Sequence, residues 1–260
     1  MAARAGHRID EFEPGYGGRN LAIPGGSESL GEDCPIAALQ SLAMTRGGCL
    51  RGLLLAALML LATVTVTQAD STPGRFDYYV LSLSWSPEYC AKSHRDDEMQ
   101  CARPYAFVVH GLWPQDEHGW PSDCPSRERV PDATIERMLP LMPNRGLIIH
   151  EWRRHGTCSG FRADAYFSLV EQVYHSINIP ARYQRVRSAL NVATTELRRD
   201  FLTANPAMPK KALILQCSGS YLQEVRICLD RELKPRACSS DQRNHCGSSV
   251  LLRPVRVSAR

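Results

Sequence analysis

The chain has 260 residues, 43% of them hydrophobic, and a formal net charge of +4. Size and apolar content suffice for one domain with a core of its own. The balance is only mildly basic, which excludes a surface built to coat a polyanion and confines any such contact to a local cleft.

Residues 1–43 are rich in Gly, Glu and Pro and weakly periodic, so they read as an unstructured extension. Met44 then opens a better-formed segment. Arg46 and Arg51 lead into the apolar run Leu53-Leu54-Leu55-Ala56-Ala57-Leu58-Met59-Leu60-Leu61-Ala62, followed by mostly small residues up to Ala69. Positive, apolar, then small is the layout of a secretory signal peptide, here 44–69 with cleavage after Ala69. A signal anchor is the alternative, but the run is short for a membrane span. On this reading 1–43 come from the choice of start site. The mature part, 70–260, is exported to a periplasm or out of the cell.

The mature part mixes strand and helix signals. Residues 76–85 alternate and are rich in β-formers, with Pro87 as a stop. Cys90 and Cys101 bracket the charged stretch 94–98, a solvated loop in which His94 has no catalytic part. Residues 105–110 form a second strand. The stretch 114–131, rich in Pro, Gly, Asp and Ser, reads as a surface loop whose Trp120 either lines a pocket or merely packs. Residues 132–142 give a short helix and 144–155 another, with Leu147, Ile148 and Trp152 on its buried side. Over 164–177, Phe167, Val170, Tyr174 and Ile177 follow helical spacing, with Asp164 as N-cap and His175 on the surface. A further helix spans 193–204 and stops before Pro206. The β-rich runs 211–217 and 221–229 flank Ser218-Gly219-Ser220 and read as a hairpin-like pair. Eight of the ten cysteines lie after residue 70. An even number in an exported chain points to four disulfides, whose pairing sequence alone does not choose.

Two histidine segments carry the chemistry. Phe107-Val108-Val109-His110-Gly111-Leu112-Trp113-Pro114 is an apolar strand ending in a His, with a Trp three residues on. The other is His150-Glu151-Trp152-Arg153-Arg154-His155-Gly156-Thr157-Cys158. On a helix of about 100° per residue, His150, Glu151, Arg154 and His155 fall within an arc of roughly 140°, and Gly156 is placed to end the helix. Two imidazoles, a carboxylate and a cation on one face suit proton transfer around an anion. Each residue taken alone has a plainer account: a structural histidine beside a solvated face, or a helical ion pair between Glu151 and Arg154. A zinc site is the sharper rival, but its H-E-x-x-H pattern sets the histidines at i and i+4. Here the second ring comes one residue later, and C-x-x-C knuckles are absent.

The segments FVVHGLWPQ (107–115) and LIIHEWRRHGTC (147–158) closely resemble the two active-site segments of the ribonuclease T2 family, approximately HGLWP and HEWxKHGTC. FDYYVLSLSWSPEYC (76–90) resembles the family's opening strand, and the resemblance covers about 76–246. It implies an α+β fold with a central antiparallel sheet and flanking helices. It also implies disulfides Cys90–Cys101, Cys124–Cys158, Cys217–Cys246 and Cys228–Cys238. In the implied reaction His155 is the base and His110 the acid. His150 holds a phosphate oxygen, while Glu151 and Arg154 stabilise the five-coordinate state. Trp113 would stack a base, with Gln115 and Trp120 as neighbours that tune selectivity. The family usually has Lys where this chain has Arg154, a planar bidentate cation in place of a point charge.

The chemistry agrees with that assignment. Histidine suits both proton roles because its ordinary pKa lies near 6.5, and two rings on separate elements can flank one phosphate from opposite sides. The resulting expectation is a metal-independent endoribonuclease of low base specificity. It cleaves single-stranded RNA through a 2′,3′-cyclic phosphate to a 3′-phosphate. It needs no cofactor, acts as a monomer, and touches no membrane once the signal segment is removed. A secreted, non-catalytic binding protein on the same scaffold is the rival class, disfavoured because His110 and His155 are both present. The scheme requires neither ring to be sealed in the core.

Overall fold

The computed structural model describes residues 72–92 and 98–256. The expected extension, the signal segment and His94 lie outside those residues. Strand β1, Tyr78–Trp85, is the centre of the architecture. Its alternation is real: Tyr79, Leu81, Leu83 and Trp85 enter the main core, while Tyr78 and Val80 face the other side with Trp113 and Cys228. One strand therefore serves two faces, as a period of two requires.

β1 lies between β2 (Phe107–Gln115) and β5 (Tyr221–Leu229), antiparallel to both. β4 (Leu213–Ser218) pairs antiparallel with β5, which confirms the expected hairpin. Two further strands, β3 (Leu190–Ala193) and β6 (Ser249–Leu252), pair antiparallel with each other, and β6 meets β5 in parallel at the single pair Tyr221↔Leu251. The order β2-β1-β5-β6-β3 leaves β2 at an edge. That is why β2 runs on through Pro114, beyond its expected end at 110: an edge strand tolerates a residue without an N–H.

Helices flank this sheet. α1 (Ser86–Lys92) begins directly after β1, so Pro87 stops the strand by opening a helix, in whose first turn its missing N–H costs nothing. α2 (Glu98–Cys101) and α3 (Asp132–Met138) are short. α4 (Arg145–Arg154) is capped by Asn144, whose side chain accepts from the Leu147 N–H at 2.9 Å. α5 (Ala163–Ser176) buries Phe167, Val170 and Val173, and α6 (Thr194–Ala204) buries Leu197 and Phe201. The expected cap at Asp164 does not form: Arg162 holds the cap position without a side-chain bond, and Asp164 falls in the first turn. There its charge complements the helix dipole instead.

All four disulfides implied by the resemblance are present: Cys90–Cys101, Cys124–Cys158, Cys217–Cys246 and Cys228–Cys238. They fit an exported protein. Among the described residues no helix is long and apolar enough to cross a membrane.

Candidate active site

A bulge in β2 aims the first histidine. Ser82 of β1 stands opposite Gly111 and Leu83 opposite Val109, so His110 is the extra residue. In a regular strand residues three apart point to opposite faces. The inserted residue resets the alternation, and His110 and Trp113 come to share one face with ring centroids 5.3 Å apart. Val109 and Leu112 meanwhile both reach the main core.

The second histidine sits at the end of α4 and departs from the helical arc drawn from the sequence. His155 is the C-cap, with φ −123° and ψ −47°, and its N–H bonds to Glu151 O at 3.0 Å. Gly156 does not end the helix by a left-handed turn. It opens the tight turn Gly156–Ser159, and Gly160 (φ 79°) closes it. Gly156 is needed for space, since a Cβ there would lie 2.5 Å from the Trp152 ring. The Cys124–Cys158 bridge anchors this turn.

Five side chains close a ring between these elements. The Trp113 indole N–H donates to Glu151 Oε2 at 2.7 Å, and Glu151 Oε1 lies 3.5 Å from His110 Nε2. His110 Nδ1 meets Glu224 Oε1 at 2.6 Å, and Glu224 Oε2 accepts from Arg226 Nε at 2.9 Å. The Arg226 guanidinium returns over the Trp113 ring, 4.8 Å from its centroid. Gly111 makes the ring possible: a Cβ there would fall 2.1 Å from Glu151 Oε2 and 2.4 Å from Trp113 Nε1. His155 also lies against the indole, its ring centroid 5.3 Å away.

The two imidazoles are driven apart electrostatically. Burial alone would lower the His110 pKa, but the Glu224 carboxylate and then Glu151 overcome it and raise the ring above its ordinary value. For His155 every influence runs the other way: burial first, then the charges of His110, Arg154, His150 and Arg226, together holding it well below. Glu224 stays ionised despite burial, because Arg226 and His110 hold its carboxyl far below the usual range.

The other expected residues fall in different settings. Arg154 is paired with Asp123, whose own N–H bonds to Arg154 O at 2.9 Å. His150 is partly exposed and close enough to act on His155. Trp113 is only 9% exposed, much less open than a stacking platform was expected to be. Gln115 is buried; its Nε2 donates to Pro114 O and its Oε1 accepts from Gln242 Nε2 at 3.0 Å. Trp120 is partly exposed. His110 keeps 19% of its side chain open, whereas His155 is 4% exposed with a buried Nδ1, far more enclosed than the scheme supposed. The cause is the wholly buried turn that follows it. Among the described residues no group of three or more His, Cys, Asp or Glu side chains could hold a metal ion. Glu224 and Arg226 escaped the sequence reading. Their signal was two opposite charges two residues apart in an otherwise β-rich run, which puts both on one face of a strand.

The comparisons with known proteins point the same way. A model of the Ribonuclease T2 family matches residues 76–238. A ribonuclease of Aeromonas hydrophila is 35% identical over 207 residues, covering 74% of this chain and 92% of that protein. Ribonuclease I of Escherichia coli (strain K12) is 29% identical over 208 residues, 60% of this chain and 76% of that one. Among solved structures, an RNase-related protein from Calystegia sepium superposes with a TM-score of 0.58 at 22% identity, over 70% of this chain and 99% of that one. RNase NT in complex with 5′-AMP gives 0.57 at 20% identity, over 69% and 99%. At such identities the structural likeness speaks for the fold, and the family match carries the rest: the chain belongs to the ribonuclease T2 family, and with that family goes endonucleolytic cleavage of RNA.

Proposed function

We propose that the chain cleaves single-stranded RNA without a metal by attack of the ribose 2′-OH on the adjacent phosphate. The product is a 2′,3′-cyclic phosphate, opened slowly to the 3′-phosphate. The observation that carries this reading is the meeting of two histidines from separate elements at one indole, each ring centroid 5.3 Å from that of Trp113, with His110 against Glu224 and His155 almost wholly buried. A neutral His155 can take the 2′-OH proton, and its buried Nδ1 leaves Nε2 as the nitrogen to do so. A cationic His110 can return a proton to the departing 5′-oxygen. Their environments and the likeness to the family both support this division of acid and base. Glu151, His150 and Arg154 supply hydrogen bonds and charge to the crowded phosphate. Gln115 is buried, with its amide bonded to Pro114 and Gln242. That enclosure supports low base specificity. The protein acts as an exported monomer after loss of 44–69, in a periplasm or outside the cell.

The test is RNA digestion in excess EDTA by wild type, His110→Ala and His155→Ala, run across pH. Cleavage should survive the chelator and fall by at least ~10²-fold in each variant. Wild-type activity should rise as His155 loses its proton, below the ordinary imidazole value near 6.5, and decline only as His110 loses its own above it. Activity abolished by EDTA would overturn the metal-independent scheme, and so would a variant of either histidine that cleaves like wild type.

A further inference from the structure

We infer that Glu224, held in place by Arg226, is the positioning residue for His110: it accepts a hydrogen bond from Nδ1–H and turns Nε2 toward Glu151 and the cleft. The inference rests on the reading of His110 as the acid. A carboxylate can only accept, so a 2.6 Å contact to Glu224 Oε1 fixes the proton on Nδ1 and settles the ring's orientation. Glu224 is in turn clamped from its other oxygen by Arg226, through Nε at 2.9 Å and a terminal guanidinium nitrogen at 2.8 Å. The contact to His110 is long-range: His110 lies on β2 and the Glu224–Arg226 pair on β5, with β1 between them.

The intervening strand is built to let them meet. Ser84 stands opposite Glu224, and Ser82 opposite Arg226, on the face of β1 that otherwise carries Tyr78 and Val80. Small side chains at these two positions leave the path across β1 open. Ser84 Oγ adds a 3.4 Å bond to Glu224 Oε1. Ser82 Oγ is buried with no hydrogen-bond partner, so what that position supplies is space. The charged and titratable groups facing His110 are Glu224 and Arg226 from β5, Glu151 from α4 and His155 beyond its end. Of these, Glu224 makes the short contact. Glu151 lies nearly an ångström farther off and is already bound by Trp113.

The experiment reads the His110 ring directly by NMR titration in the folded wild type and in Glu224→Gln, beside the pH profile of RNA cleavage. In wild type the ring should hold its proton above the ordinary value. Glu224→Gln should lower that point by about one pH unit or more, a tenfold loss of proton affinity. The alkaline limb of kcat/KM should move down with it, KM on the acid side should stay put, and Glu224→Asp should restore part of the shift. The proposal is overturned if His110 titrates at or below the ordinary value in wild type, a result that needs no variant to fold. It is equally overturned if Glu224→Gln slows cleavage by the same factor at every pH. A wild type that cleaves no RNA, yet shows the NMR shift, would sink the acid reading and leave the positioning intact.

Discussion

The two faces of β1 are built on opposite rules. On one, Tyr79, Leu81, Leu83 and Trp85 join an apolar cluster that α4, α5 and α6 complete with Trp152, Phe167 and Phe201. Its cohesion is non-directional and shared among many neighbours. On the other, past the small cluster of Tyr78 and Val80, the sheet carries the ring of Trp113, Glu151, His110, Glu224 and Arg226. There every member is fixed by one or two named partners, and removing one leaves the next, largely buried, without its partner. The first face should therefore fail by degrees and the second by links. Stability and catalysis should come apart accordingly when each is perturbed.

Leu81→Ala is the strongest blow to the apolar side. The side chain is fully buried, and its truncation should cost about 2–5 kcal/mol in denaturant unfolding. The pH dependence of the folded fraction's activity should not move, and a shifted profile would show that the two faces are not separable. Gly111→Ala attacks the polar side with a single carbon. Its Cβ would collide with both Glu151 Oε2 and Trp113 Nε1, and neither is a free chain end. Overpacking of this kind should cost about 1–3 kcal/mol. Displacing Glu151 by about an ångström should lower kcat/KM roughly a hundredfold, far out of proportion to the stability lost. Wild-type kinetics in Gly111→Ala would mean that the ring of contacts is not what holds the reacting groups.

The contrast also explains what the sequence could disclose. β1, β5 and the hairpin with β4 were legible because a half-buried strand writes its faces into alternate residues, and α4 and α5 because their apolar stripes repeat every three to four. β3 and β6 were not: four residues each, paired with one another across the fold, they carry too short a pattern to stand out. The two histidine segments were legible as chemistry, but their geometry was not. The bulge at His110 breaks the period on which a strand is read. The departure of His155 from α4 is set by the buried turn after it, whose packing against Trp152 and Tyr166 no local rule supplies. Glu224 was invisible as a partner of His110 because 114 residues separate them and only the order β2-β1-β5 joins them.

Trp113 marks the finest division between the two kinds of face, since an indole offers a broad apolar ring and one directional N–H. The resemblance assigns it to stacking a base, which uses the ring. Its surroundings favour the N–H: the ring is 9% exposed, lies beneath Arg226 and 5.3 Å from each histidine ring, and points its nitrogen at Glu151. Trp113→Phe separates the two because it keeps an aromatic face and deletes only the donor. If the indole chiefly holds Glu151, kcat should drop by about tenfold, equivalent to about 1.4 kcal/mol of transition-state stabilisation, with KM nearly unchanged. If it chiefly stacks a base, Phe should keep kcat and any loss should fall on KM. The N–H role predicts the first pattern, and the second would return Trp113 to the substrate.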